Sequence, residues 1–198
     1  MKAIILDMYG VIVKDTGDGF YEYVNRTFPD IPVKEMQAEW LKGSVGEYTS
    51  KELLARMGYI DNWKEAEQEY LDTVELIDGF EEFILAMKKQ YKLALITNDL
   101  SEWSQYLREK YQLDPYFEVI AVSGDLKMKK PDARIFQYTL DRLGCSASDC
   151  VYIDDRRRNL EAARELGMDT VLFNSRNVEF AGKCVLTYKE LAQVLTER

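Results

Sequence analysis

Four short polar clusters carry the residue types from which chemistry could be built. Asp7 closes the apolar run Lys2-Ala3-Ile4-Ile5-Leu6 and is followed by Met8-Tyr9-Gly10-Val11. Thr97-Asn98-Asp99 follows Lys92-Leu93-Ala94-Leu95-Ile96. Lys129-Lys130-Pro131 lies shortly after Glu118-Val119-Ile120-Ala121-Val122. Asp154-Asp155 closes Cys150-Val151-Tyr152-Ile153, with Asn159 beyond. The 198 residues include no histidine. That excludes imidazole bases, imidazole metal ligands and every Ser-His or Cys-His nucleophile pair. Carboxylate, lysine, tyrosine and thiol chemistry remain. The cysteines are Cys145, Cys150 and Cys184, an odd count with no CxxC spacing. They fit neither a disulfide framework nor a zinc site, and read as buried or idle thiols in a reducing cytosol.

The elements around these clusters decide whether they meet. The apolar runs are of strand length, β-branched and without alternation, as expected of strands covered on both faces in a parallel sheet. A fifth run is Thr170-Val171-Leu172-Phe173. Helical stripes lie between them: Phe80, Phe83, Ile84 and Met87 within 80–90, and Ile135, Phe136, Thr139, Leu140 and Leu143 within 133–143. A third spans 160–166 and is closed by Gly167. Strand, helix and strand in this rhythm predict an α/β doubly wound parallel sheet. In such a sheet the carboxyl ends of the strands share one edge, and ligands bind there where the strand order reverses. Asp7, Lys130, Asp154 and Asp155 would then converge. Like charges so close are costly unless a cation joins them. Carboxylate and carbonyl oxygens with retained waters suit magnesium. Taken singly, each cluster has a plainer reading: a turn or cap for Asp7, Thr97-Asn98 and Asp154-Asp155, a solvated lysine for Lys130. Four of them at successive strand ends are hard to attribute to chance.

One region breaks the rhythm. Residues 14–77 contain no strand run, and helical spacing shows in Phe20-Tyr21-Tyr23-Val24 and Glu52-Leu53-Leu54-Met57. Pro29, Pro32, Gly43, Gly46 and Gly58 punctuate it. It reads as a small helical subdomain inserted after the first strand, leaving 1–13 and 78–198 as the α/β core. The formal net charge of −9 argues against nucleic acid and against anionic lipid as partners. A phosphorylated metabolite would have to be met by a local positive site. No stretch approaches the length of a membrane span, and the first apolar run is too short for a secretory signal. The expected location is the cytoplasm. Arg156-Arg157-Arg158 reads as the solvated first turn of a helix, and Phe20, Tyr21 and Tyr23 as a packing stripe. The other readings are attraction of an anionic substrate by the arginines and lining of a pocket by the aromatics.

Together Asp7-Met8-Tyr9-Gly10-Val11, Thr97-Asn98, Lys130-Pro131-Asp132-Ala133-Arg134-Ile135-Phe136 and Ile153-Asp154-Asp155 resemble the four motifs of the haloacid dehalogenase-like (HAD) superfamily. The insertion stands at the usual place of a small helical cap on its Rossmann-like core. Val122-Ser123-Gly124-Asp125-Leu126 leading into Lys130-Pro131 resembles the branch with bacterial glucose-1-phosphate phosphatase and the phosphatase domain of soluble epoxide hydrolase. The resemblance implies a Mg2+-dependent phosphatase of a small phosphorylated metabolite. Asp7 would be the nucleophile, forming an aspartyl-phosphate. Thr97 and Asn98 would bind the phosphoryl oxygens, and Lys130 would neutralise charge. The metal would be held by Asp7, the Tyr9 carbonyl and the Asp154-Asp155 pair, with Asp155 the closer ligand and Asn159 supporting. Commoner phosphatases of this kind place an Asp general acid two residues after the nucleophile, where this chain has Tyr9. Haloacid dehalogenases also have Tyr there but lack the acidic pair, so hydrolytic dehalogenation ranks lower. A phosphosugar-binding regulatory protein with vestigial turnover is the third reading. The Tyr9 position and the branch resemblance both point to a sugar 1-phosphate as substrate.

Overall fold

The computed structural model describes residues 1–16 and 19–197. Six strands form one sheet: β1 (Ala3–Leu6), β2 (Lys92–Thr97), β3 (Val119–Val122), β4 (Cys150–Asp154), β5 (Asp169–Phe173) and β6 (Cys184–Val185). The spatial order is β3-β2-β1-β4-β5-β6, and every pair is parallel. The chain steps outward from β1 through β2 to β3, then returns to the other side of β1 as β4. The order reverses between β1 and β4, so the clefted edge lies at the ends of those two strands. The expected doubly wound sheet is present. The two-residue edge strand β6 is too short to show as an apolar run.

Both faces of the sheet are covered, which accounts for the unbroken apolar runs. Ile4, Leu6, Leu95, Val151, Ile153 and Phe173 point into one core, with Phe80, Phe83 and Ile84 of α5 (Phe80–Met87) and Leu191 and Leu195 of α10 (Tyr188–Thr196). Ala3, Ile5, Ala94, Ile96, Tyr152 and Leu172 point into the other, with Ile135, Phe136, Leu140 and Leu143 of α8 (Ala133–Leu143) and Leu160 and Ala163 of α9 (Arg157–Glu165). The α8 stripe is the expected one. Asp132 caps its start by accepting from the Arg134 N–H, and Gly144, at φ +63°, ends it. α5 stops three residues short of the expected end at 90, and α9 begins three before the expected start at 160, because its first turn is polar and carries no stripe.

Four helices fill the insertion: α1 (Gly19–Thr27), α2 (Val33–Gly43), α3 (Ser50–Arg56) and α4 (Trp63–Asp72). Phe20 and Val24 are the buried face of α1, and Leu53, Leu54 and Met57 that of α3 and its end. Thr49 and Glu52 start α3 with a reciprocal capping box. The chain leaves and re-enters the core side by side: Val13 pairs antiparallel with Leu76, and the Ile77 N–H donates to the Ile12 carbonyl at 2.9 Å. The insertion also touches the core beyond β2 and β3. α6 (Ser101–Lys110) packs on α3 and α4, and the short α7 (Ser123–Leu126) places the Ser123 hydroxyl against the Ser44 carbonyl. A Cβ on Gly46 would lie 2.2 Å from the Gly124 carbonyl oxygen, so only glycine permits this approach.

Gly46 has φ +70° and that close backbone neighbour, whereas Gly144 has φ +63° and nothing within 4 Å. Gly46→Ala should therefore lower the unfolding free energy by about 2–4 kcal/mol, and Gly144→Ala by about 1 kcal/mol. Urea titration of the two variants would measure both. Equal losses would mean that the insertion is not held against the core at Gly46.

Candidate active site

Asp7 is the first residue past β1. Its N–H still donates to the Ile153 carbonyl at 3.0 Å, and then the chain turns back sharply, with the N–H groups of Ile12 and Val13 both donating to the Met8 carbonyl at 2.8 and 2.9 Å. The Asp7 side chain is buried, only 6% exposed. Its Oδ1 accepts from the Met8 N–H at 2.6 Å and lies 2.7 Å from the Lys130 Nζ.

Lys130 is 2% exposed. Its ammonium also donates to Asp154 Oδ2 at 3.0 Å and to the Ile96 carbonyl at 2.9 Å. Asn98 holds it from behind. The Lys130 N–H donates to Asn98 Oδ1 at 2.8 Å, and Asn98 Nδ2 donates to the Lys130 carbonyl at 2.9 Å. The Asn98 amide thus orients the lysine, while the residue still lines the cavity over the site. Asp154 is fully engaged. Besides Lys130 it accepts from the Arg156 N–H at 2.7 Å, from Asn159 Nδ2 at 3.1 and 3.0 Å, and from the Tyr152 hydroxyl. Asp155 pairs through Oδ2 with Arg176, whose guanidinium also reaches Asp15.

The electrostatics follow from burial. It pushes the Asp7 carboxyl well above the usual range. Asp154 pushes it further, Lys130 pulls it back, and Asp155 adds to the rise. Burial raises Asp155 in the same way, with Asp154 adding. Asp154 is the exception: burial works upward, but Lys130 and the Tyr152 and Asp7 hydrogen bonds hold it below the ordinary range. Burial likewise works to lower Lys130, and Asp154 and Asp7 hold it above the ordinary value. Three carboxylates thus face one lysine, one arginine shared with Asp15, and a second arginine, Arg156, at 3.9 Å from Asp155.

This donor set fits a divalent cation. Oxygens of Asp7, Asp154 and Asp155 lie within 4.8 Å of one another, all buried. Asp155 Oδ1, Thr97 Oγ1 and Asn159 Oδ1 are buried with no partner among the described residues, and such atoms call for a ligand. Gly10 completes the cradle. At φ +79°, a Cβ there would sit 2.7 Å from the Asp155 carboxylate. The backbone beside Tyr9 can approach that carboxylate only because the side chain is missing. Hard oxygen ligands of this kind suit magnesium.

Above the cluster lies a cavity of about 560 Å³. Asp7, Tyr9, Asn98, Asp99 and Lys130 line it from the core, Phe20, Tyr21, Trp40 and Tyr70 from the insertion, and Trp103 from α6. Of the aromatic stripe read as packing, Phe20 and Tyr21 line the cavity. Tyr23 instead stacks on Tyr59 and donates to Glu69 at 2.9 Å. The arginine run also divides. Arg157 pairs with Glu161 as a solvated helix residue should, whereas Arg156 and Arg158 line the cavity. The Tyr9 hydroxyl donates to Asp99 Oδ2 at 3.2 Å, and Asp99 Oδ1 accepts from the Leu100 N–H at 2.9 Å. Burial pushes the Tyr9 phenol well up, with Asp99 adding. Burial lifts Asp99 to about 8. Sequence reasoning missed the parts played by Asp99, Tyr152 and Arg176. Tyr152 is foreshadowed by its place two residues before Asp154 on one strand face. Arg176, in the loop after β5, carries no local signal.

The family described as haloacid dehalogenase-like hydrolase matches residues 4–173. The chain belongs to that family. Among curated HAD relatives, the chloroplast flavin mononucleotide hydrolase 1 of Arabidopsis thaliana is 26% identical over 88% of this chain and 73% of its own length. The phosphorylated carbohydrates phosphatase of Thermotoga maritima is 23% identical over 86% and 84%. Drimenol cyclase drtB of Aspergillus calidoustus is 26% identical over 89% of this chain, which spans 35% of that much longer protein. Among solved structures, a HAD family enzyme of Bacteroides thetaiotaomicron superposes with a TM-score of 0.79 at 21% identity, covering 89% of this chain and 95% of the other. The same enzyme in complex with magnesium and inorganic phosphate gives 0.77 at 20%, over 91% and 98%. The HAD fold is therefore shared at low identity. No helix among the described residues is long and apolar enough to cross a membrane.

Asp99 generates a stability prediction. Between roughly pH 4, the unfolded value, and about pH 8 the folded chain keeps a proton on Asp99 that the unfolded chain releases. This group's contribution to stability therefore falls as pH rises through that window and is level above it. Asp99→Asn removes the titration and keeps the shape. Its melting temperature should drop less between pH 5 and pH 8 than that of the wild type, as scanning calorimetry would show. An equal drop would place the Asp99 proton elsewhere.

Proposed function

We propose that this chain is a magnesium-dependent phosphatase of small phosphomonoesters that works through an aspartyl-phosphate on Asp7. The observation that carries the reading is the buried contact of 2.7 Å between Asp7 and Lys130, beside two further carboxylates within reach of the same cation. A carboxylate buried next to an ammonium at the floor of a cavity is a positioned nucleophile. Related proteins named as hydrolases of phosphorylated carbohydrates and of flavin mononucleotide support it.

Asp7 Oδ1 is occupied by Met8 and Lys130, which leaves the second oxygen to attack phosphorus in line with the ester oxygen. The Thr97 hydroxyl and the backbone at Asn98 would receive the equatorial phosphoryl oxygens. Lys130 offsets charge that builds on Asp7 and on those oxygens. Phosphoryl transfer asks for little beyond such positioning and charge stabilisation. Asp7, the Tyr9 carbonyl, Asp154 and Asp155 would hold magnesium, whose charge, when bound, offsets the carboxylates and the phosphoryl group. Asp155 is the closer ligand, since its Oδ1 is unpartnered while Asp154 is saturated by Lys130, Tyr152, Asn159 and the Arg156 N–H. A water then attacks the acyl-phosphate and restores Asp7. The insertion acts as the cap that closes over the substrate.

Tyr9 sets a condition on the leaving group. The tyrosine hydroxyl already donates to Asp99, and no carboxylic acid stands at its position. An ordinary alcohol has a pKa of roughly 15–16, near that of water, and leaves poorly without a proton. A sugar anomeric hydroxyl is more acidic and needs less help. The favoured substrate is therefore a sugar 1-phosphate.

Asp7→Asn should abolish phosphate release while the melting temperature stays near wild type or rises. EDTA should remove activity reversibly, and Asp155→Ala should raise the magnesium requirement and lower the rate together. Wild-type rates in Asp7→Asn, or release of halide from a 2-haloacid with no phosphate from any ester, would defeat the mechanism.

On hexose phosphates the wild type should favour the 1-phosphate over the 6-phosphate. Tyr9→Asp should gain more on the 6-phosphate, by up to about a hundredfold if a carboxylic general acid is restored. A wild type that prefers the 6-phosphate, with no differential gain in the variant, would separate its specificity from leaving-group chemistry.

A further inference from the structure

Among the described residues, two cations on the cavity wall form no ion pair. Lys129 is half-buried in the loop ahead of α8, and Arg158 is exposed on the first turn of α9; both line the cavity that Asp7 faces. Among the described residues neither forms an ion pair within 4.0 Å. The other cations of that wall are engaged. Lys130 is held by Asp7 and Asp154, Arg176 by Asp155 and Asp15, and Arg156 lies 3.9 Å from Asp155. Burial pushes the Lys129 ammonium down and nearby Arg158 pushes it further, while Glu47 of the insertion, beyond ion-pair distance, pulls the other way. The chain carries 35 acidic residues against 26 basic ones, so carboxylates to neutralise this pair are not scarce. Two like charges on one wall, the lysine half-buried and the arginine exposed, repel each other and favour an anion that joins them.

We propose that Lys129 and Arg158 form a second anion subsite, so that the substrate carries a phosphate or carboxylate in addition to the phosphoryl group it loses. The inference rests on the phosphatase reading and narrows it. The transferred phosphoryl group would be received at the floor by Lys130, beside the carboxylates that would hold the magnesium. The second anion is received at the wall, by a guanidinium that can bind it through two parallel N–H groups and by an ammonium acting as a point charge. Such contacts exist equally before and during phosphoryl transfer. They should therefore appear mainly in KM and not in kcat.

The test is steady-state kinetics of the full chain with magnesium on two matched pairs. Glucose 1,6-bisphosphate is compared with glucose 1-phosphate, and 3-phosphoglycerate with glycerol 3-phosphate. The first pair offers a second phosphate, the second a carboxylate, and the pair that responds identifies the anion. p-Nitrophenyl phosphate reports the phosphatase chemistry itself. The wild type should favour the doubly anionic member of at least one pair by about tenfold or more in kcat/KM. In Lys129→Met/Arg158→Gln that ratio should fall toward one, chiefly through KM. A wild type that hydrolyses p-nitrophenyl phosphate but shows no preference in either pair overturns the subsite and leaves the phosphatase reading standing. A double variant that melts like the wild type and keeps the full preference overturns it too. No hydrolysis of any ester removes the phosphatase reading, and the subsite with it. The wild-type comparison decides the matter even where the double variant fails to fold.

Discussion

A lysine ammonium buried between two carboxylates is the constraint around which this protein is arranged. Lys130 is 2% exposed and touches both Asp7 and Asp154. An ion in that position loses its hydration, and only well-aligned partners offset the loss. The partners come from three strands: Asp7 after β1, the Ile96 carbonyl on β2 and Asp154 at the end of β4. Lys130 itself arrives from the loop after β3 and α7, clamped by Asn98. Four consecutive segments of the sheet edge must therefore sit in register for one charge to be satisfied. The parallel pairing of β1 with β2 and β4 supplies that register, and two apolar cores hold the strands between helical layers.

The same cluster is over-supplied with negative charge. Lys130 satisfies Asp7 and Asp154, and Arg176 satisfies one oxygen of Asp155. Asp155 Oδ1 has no hydrogen-bond donor among the described residues, only the exposed Arg156 at 3.9 Å. A buried carboxylate oxygen without a donor is costly in a fold that gains no stability from it. With the Thr97 hydroxyl, also without a hydrogen-bond partner among the described residues, it is the kind of group that calls for a ligand. Stability and function are in tension here, as expected where groups are held ready for a ligand.

Much of this was legible in the sequence, for a definite reason. Runs such as Ile4-Ile5-Leu6 and Val151-Tyr152-Ile153 can be buried on both faces only in a covered sheet, and a covered sheet sends its polar strand ends to one edge. Asp7, Thr97, Asp154 and Asp155 stand at strand ends by that rule, while the part of Lys130, from the loop after α7, is the one the family resemblance implies. What escaped was set by tertiary contact. Arg176 reaches Asp155 across 21 positions from a loop with no pattern. Asp99 carries no role of its own in the sequence; burial and the contact with Tyr9 give it one. Arg156 and Arg158 look like a solvated turn, and they are exposed, because nothing local tells that they border the cavity that the insertion also lines. Gly46 reads as punctuation, yet its lack of a side chain is what lets the insertion settle on Gly124.

The pairing of Tyr9 with Asp99 ties the local backbone to the chemistry the site can offer. Tyr9 has its backbone beside the acidic cluster and its side chain facing the cavity, so on the phosphatase reading its carbonyl and its side chain would serve separate ends. Replacing an acid with tyrosine at this point keeps the first end and alters the second. The phenol, raised by burial, stays protonated at neutral pH. Its hydroxyl is hydrogen-bonded to Asp99, which itself keeps a proton below about pH 8. A proton donor already committed to a neighbour gives little help to a departing alkoxide. On the phosphatase reading, the leaving group must then bring its own acidity. Recognition of the rest of the substrate falls to the aromatic wall of the insertion and the cations at its rim.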